Sequence, residues 1–129
     1  MTDPRKWLEF ARDDLTLAVL ALQNGIYNQV CFHSQRGVEK ALKGFLRSCQ
    51  RSVPRTHALR EGLTLCQTLD ESFHTLKDTC VRLDRYYIPT RYPDALPGTA
   101  PEGLPARQDA EEAVAMLQEV LQWIKGKVT

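Results

Sequence analysis

FHSQRGVEKALKGFL, residues 32–46, is the stretch on which the fold turns. Read at 100° per residue with Val38 at 0°, the helix it belongs to, about Ile26 to Cys49, gathers Tyr27, Cys31, Ser34, Ala41, Leu42, Phe45 and Cys49 within about 60°. The opposite side collects Gln29, His33, Arg36, Lys40, Lys43 and Arg47. One face is therefore built for a core and the other is a basic stripe. From Arg36 to Arg47 the stripe runs about 16 Å at 1.5 Å per residue.

The helical grammar continues outward. Upstream, Asp3-Pro4 supplies a cap and a first-turn proline, Leu8, Ala11, Leu15, Ala18 and Leu22 repeat at helical spacing, and Asn24-Gly25 stops the run. Downstream, Ser52-Val53-Pro54 breaks the chain. Thr56 then caps a short helix carrying Leu59, Leu63, Cys66 and Leu69. Asp70 or Ser72 opens a fourth helix, with Phe73, Leu76, Cys80, Leu83 and Tyr87 inward. Five of the seven prolines and two glycines fall between Ile88 and Ala106, which excludes a helix there. The last helix, about Arg107 to Lys125, turns Ala110, Ala113, Leu117, Val120 and Ile124 inward. Nothing alternates like a strand. The expected fold is all-α: an up-and-down bundle of four main helices plus one short helix, with a long Pro-rich loop before the last helix.

The chain has 129 residues, 43% of them hydrophobic, which suits one globular domain over 1–129. Its 17 Lys and Arg against 16 Asp and Glu give a formal charge of +1, which excludes a uniformly basic nucleic-acid binder and an acidic disordered tail. No apolar run approaches the roughly 20 residues of a spanning helix, and MTDPRKW has no secretory signal, so the expected location is the cytoplasm, with no membrane partner. The near-neutral total hides a polarity. Residues 36–60 hold seven Lys or Arg against Glu39 alone, whereas residues 102–122 hold five acids against Arg107.

Cys31, Cys49, Cys66 and Cys80 lie 18, 17 and 14 residues apart at or near apolar positions, without ligand pairing, and are read as reduced core side chains. No metal site and no cofactor are expected. The basic stripe has three readings: phosphate contacts, a solvated helix face, or a partner for acidic Glu111, Glu112 and Glu119 of another copy. Its few aromatics make RNA the weaker ligand beside a nucleotide. Glu39, beside Phe32, Leu46 and Gln35 on the wheel, is a carboxylate at a half-buried margin and needs a partner. Arg91, in the loop string TRYPD (90–94), is the expected one, and the pair would pin the loop on the second helix. The candidate site thus comprises His33, Arg36, Glu39, Lys40, Lys43, Arg91, Tyr92 and Asp94. Lys40, Lys43 and Arg91 would meet phosphates with His33 and Arg36 beside them, Glu39 and Asp94 would orient the arginine or bond a ribose hydroxyl, and Tyr92 would stack.

Together, FHSQRGVEKALKGFL, the preceding DDLTLAVLALQNGIYNQVC (13–31), PRTHALREGL (54–63) and TRYPD resemble the HEPN domain, the "higher eukaryotes and prokaryotes nucleotide-binding" domain, over about residues 4–125. The resemblance implies a small helical bundle, usually a homodimer, often encoded beside a minimal nucleotidyltransferase, with a role in binding nucleotides or other polyanions. It also brings an alternative, since many HEPN proteins are metal-independent, toxin-like ribonucleases that use an Arg, four to six residues and a His on a late helix. Here the late helices carry no such pair. Arg51 precedes His57 at the right spacing, but Pro54 lies between them and they join the second and third helices. The reading is therefore a non-catalytic binding module for nucleotide, polyanion or a nucleotidyltransferase, with the ribonuclease and a purely structural dimerisation or antitoxin-like protein as alternatives.

Overall fold

Asp3 begins the first helix by accepting the Arg5 backbone N–H at 2.9 Å, and Pro4 occupies a first-turn position where no N–H donor is needed. In the computed structural model, which describes residues 3–87 and 97–128, this helix is α1, Pro4–Gln23. It closes at Asn24, and Gly25 takes the positive φ of +71° that the reversal requires. The central helix α2 spans Tyr27–Ser48. It ends earlier than its proline breaker: Gln50 adopts a φ of +60°, and the Arg51 N–H bonds the Leu46 carbonyl at 2.9 Å, closing a left-handed C-terminal cap.

The third helix, α3, spans Leu59–Leu69. Thr56 does not cap it, contrary to expectation. The Thr56 hydroxyl accepts the Ala58 N–H in a turn before the helix, while the Leu59 and Arg60 N–H groups donate to the Asp84 carboxylate at 2.8 and 3.2 Å. A long-range acid thus serves where a local hydroxyl was expected.

The expected fourth helix is two pieces. Asp70 accepts the Ser72 N–H and starts a 3-10 segment, Glu71–Leu76, which passes into α4, Lys77–Asp84. After Asp84 the bonds shorten to Leu83 O with Tyr86 N and Asp84 O with Tyr87 N. Residues three apart eclipse in such a turn, so Tyr86 follows Leu83 into the core and Tyr87 does not. The stretch 97–106 holds turns and an isolated pairing of Ala100 with Gly103, as its composition demands. Helix α5 spans Arg107–Ile124, with the Asp109 carboxylate accepting the Ala106 N–H at 2.8 Å.

The described residues form five α-helices and no strand, an all-α bundle as the periodicities predict. α2 is its axis: α1, α3, α4 and α5 all pack on it. Gly37 lets α5 come close, since a Cβ there would stand 2.6 Å from Leu117 Cδ1. Phe45, Phe73 and Trp123 join α2, the 3-10 segment and α5, with ring centroids 4.4 and 4.8 Å apart. The inward rows of α3 and α5 are buried where expected, apart from Leu69, which is half-buried. Cys31, Cys66 and Cys80 are fully buried, and burial pushes each thiol up to about 12, so they pack as core side chains.

Candidate functional site

The basic stripe of α2 is not a uniformly solvated face. Two buried carboxylates gather its basic side chains except Arg47, whose Nη1 donates to the Arg51 carbonyl at 3.0 Å. Asp14, from the inner side of α1, accepts His33 Nδ1 at 2.8 Å on one oxygen and Lys40 Nζ at 2.7 Å on the other. Glu39 takes Arg36 Nη1 at 3.0 Å on Oε1, and Lys43 Nζ at 2.6 Å with His57 Nδ1 at 3.0 Å on Oε2. Lys43, placed by the wheel on the outer stripe, is only 9% exposed along its side chain. The reason is its neighbour. A buried carboxylate is costly without hydrogen-bonded counter-charge, and the residue four positions on faces Glu39 along the helix, as Arg36 does three positions before it.

The two clusters share one helix face and border each other. Arg36 also lies over the Phe32 ring at 5.2 Å, and Phe32 meets the His33 ring edge-on at 5.1 Å. Three permanent cations, Arg36, Lys40 and Lys43, face two carboxylates, which leaves one positive charge before either histidine is protonated. The outer parts of this surface are accessible, with His33 22%, Lys40 32% and His57 41% exposed along their side chains.

Of the candidate residues, the structure brings together His33, Arg36, Glu39, Lys40 and Lys43. Arg91, Tyr92 and Asp94 lie outside the described residues, and so does the expected pair of Glu39 with Arg91. Tyr87 meets the His57 ring at 6.3 Å, the Asn28 side-chain amide donates to the Pro97 carbonyl at 3.1 Å, and Gly98 lies flat on the Asn28 backbone, where a Cβ would come within 1.7 Å of the carbonyl oxygen.

Asp14 was not among the expected site residues. Its signal was available: it falls three after Ala11 and four before Ala18, an acid in an apolar row, and such an acid requires cations from a neighbouring helix. The positioning of His57 was also invisible. Gln35, buried on α2, donates to the His57 carbonyl at 2.7 Å and approaches Asp84 at 3.3 Å, so His57 is held by its backbone, by Glu39 and by Tyr87. Arg51 belongs elsewhere, lining a recess with Leu46, Ser52 and Leu65. No hydrogen bond or ion pair joins it to His57, whose Nδ1 is committed to Glu39. His74 sits apart, against the Glu71 carbonyl.

These features define a small all-α bundle whose longest helix carries a cationic face tied down by two buried acids. The HEPN domain model matches residues 4–127, and the chain belongs to the HEPN domain family. The crystal structure of an archaeal HEPN homologue is similar over 100% of both chains, with 29% identity and a TM-score of 0.72. That of a Thermus thermophilus protein shares 37% identity over 98% of this chain and 99% of its own, with a TM-score of 0.76. No curated protein matches the chain. Among the described residues no helix is long and apolar enough to cross a membrane.

Proposed function

We propose that this HEPN-domain protein is a binding module that holds a nucleotide or another phosphate-bearing polyanion on the outer face of α2. The observation that carries the reading is the positive surplus there: three permanent cations share two carboxylates, with two histidines whose Nδ1 atoms are already occupied. Lys40 and Arg36 meet phosphate oxygens, His33 adds a donor when protonated, and Lys43 holds Glu39 in place from inside. The separate duties of Arg51 and His57 lend no support to ribonuclease chemistry. Calorimetric titration with ATP and with GTP, at 50 and 200 mM salt, tests this. Binding is expected to weaken with salt and in Arg36→Ala and Lys40→Ala, and absence of both heat and thermal stabilisation for either nucleotide refutes it.

A second reading, protein association, is favoured by the row Phe10, Leu17 and Leu20 on α1, which are 43, 46 and 49% exposed. The row suits a homodimer or a contact with a minimal nucleotidyltransferase. Sedimentation at two salt concentrations, with and without a Leu17→Glu change, separates an apolar contact from an electrostatic one.

A further inference from the structure

On another side of the bundle, α1 and α5 enclose an open groove of about 380 Å³. Its floor is apolar, made by Leu8, Leu15 and Leu121. Arg12 and Lys125 stand on its rim, both exposed, and no acid lines it. Ten of the sixteen Lys and Arg side chains among the described residues have a carboxylate partner; Arg12 and Lys125 are among the six that do not, and their side chains make no hydrogen bond or ion pair. The side-chain amides of Gln118 and Gln122, also on the rim, are equally free.

We propose that this groove docks an acidic amphipathic helix of a partner protein, with leucine-like side chains on the floor and carboxylates against Arg12 and Lys125. Three features select that occupant. The backbones of α1 and α5 are saturated by their own helical bonds, so an added strand has nothing to pair with, and recognition rests on side chains. Leu8, Arg12 and Leu15 stand at i, i+4 and i+7 over about 10 Å, two helical turns, which is the repeat that helical anchors present. The rim charge is wholly positive and unspent, so it attracts carboxylates and disfavours basic helices. The lining has no aromatic ring for a base to stack on, and its floor offers phosphates nothing.

The test uses two fluorescein-labelled designed peptides of eighteen residues, with leucines at i, i+4 and i+7 flanked by glutamates in one and by lysines in the other. Anisotropy is expected to show saturable binding of the glutamate peptide and at least tenfold weaker binding of its lysine analogue. Arg12→Glu with Lys125→Glu should reverse that preference while leaving thermal unfolding unchanged, because both side chains are exposed. The proposal is overturned if the glutamate peptide does not saturate, if both peptides bind alike, or if the charge reversal has no effect. It is also overturned if the protein alone sediments as a dimer that the reversal dissociates, since the groove then belongs to a second copy.

Discussion

Replacing Glu39 by glutamine keeps the size of the side chain and removes its charge. Glu39 and Lys43 are 7 and 9% exposed along their side chains and 2.6 Å apart. Removing one member of a buried pair costs about 3–5 kcal/mol, because the remaining charge stays desolvated and unmatched. The amide oxygen still accepts one bond, and the Trp7 ring lies 6.0 Å from Lys43 Nζ, so the lower end, about 3 kcal/mol, is expected. That is a large part of a total stability of roughly 5–15 kcal/mol. Lys43→Met should cost only about 1 kcal/mol, since Glu39 keeps Arg36 and His57. The double variant should then lose less than the sum, with a coupling of about 2 kcal/mol. Urea unfolding at pH 7.5, in 0.15 and 1 M salt, measures all four corners of the cycle, and salt should leave most of the coupling because the pair is buried. A loss below about 0.5 kcal/mol for Glu39→Gln, or strict additivity, would show that this carboxylate does not organise the cationic face.

Three further outcomes follow from other contacts. Asp84→Ala removes the acceptor for the Leu59 and Arg60 N–H groups and should cost about 1–2 kcal/mol, with faster amide exchange at the start of α3; unchanged exchange there would contradict the long-range cap. Gly98→Ala, at a φ of +79° and against the Asn28 carbonyl, should lower the melting temperature, whereas Gly126→Ala, with open space around it, should not; equal effects would argue against close docking at Asn28. Asp70 is held down to about 2, chiefly by the Lys127 ammonium and then by Ser72. A carboxyl lowered on folding from its ordinary 3.8 contributes stability that is complete above about pH 4 and lost as pH falls toward 2. Lys127→Met should flatten that part of the stability profile, and an unaltered profile would remove Lys127 as the cause.

Local chemistry made much of the bundle legible. The Asp3-Pro4 start, the Asn24-Gly25 stop and the apolar rows of α3 and α5 are fixed by neighbours in sequence, and the structure follows them closely. The fourth helix diverged at its end, because the turn after Asp84 closes with bonds between residues three apart, about 120° per residue, so a 100° wheel sends Tyr87 inward in place of Tyr86. The candidate site was legible in part. His33, Arg36, Lys40 and Lys43 stand out as cations on one face and Glu39 as an acid in need of a partner, yet which carboxylate each cation meets depends on how α1 lies along α2.

By itself, then, the sequence determined the helices, their apolar stripes and the cationic character of α2, because each depends on residues within a turn or two. Only the tertiary structure decided that Asp14 would hold His33 and Lys40, that Asp84 would cap α3, and that the surplus charge would amount to one. Those outcomes join residues 19–26 positions apart, and a charge acquires its counter-charge only where packing brings separate helices into register.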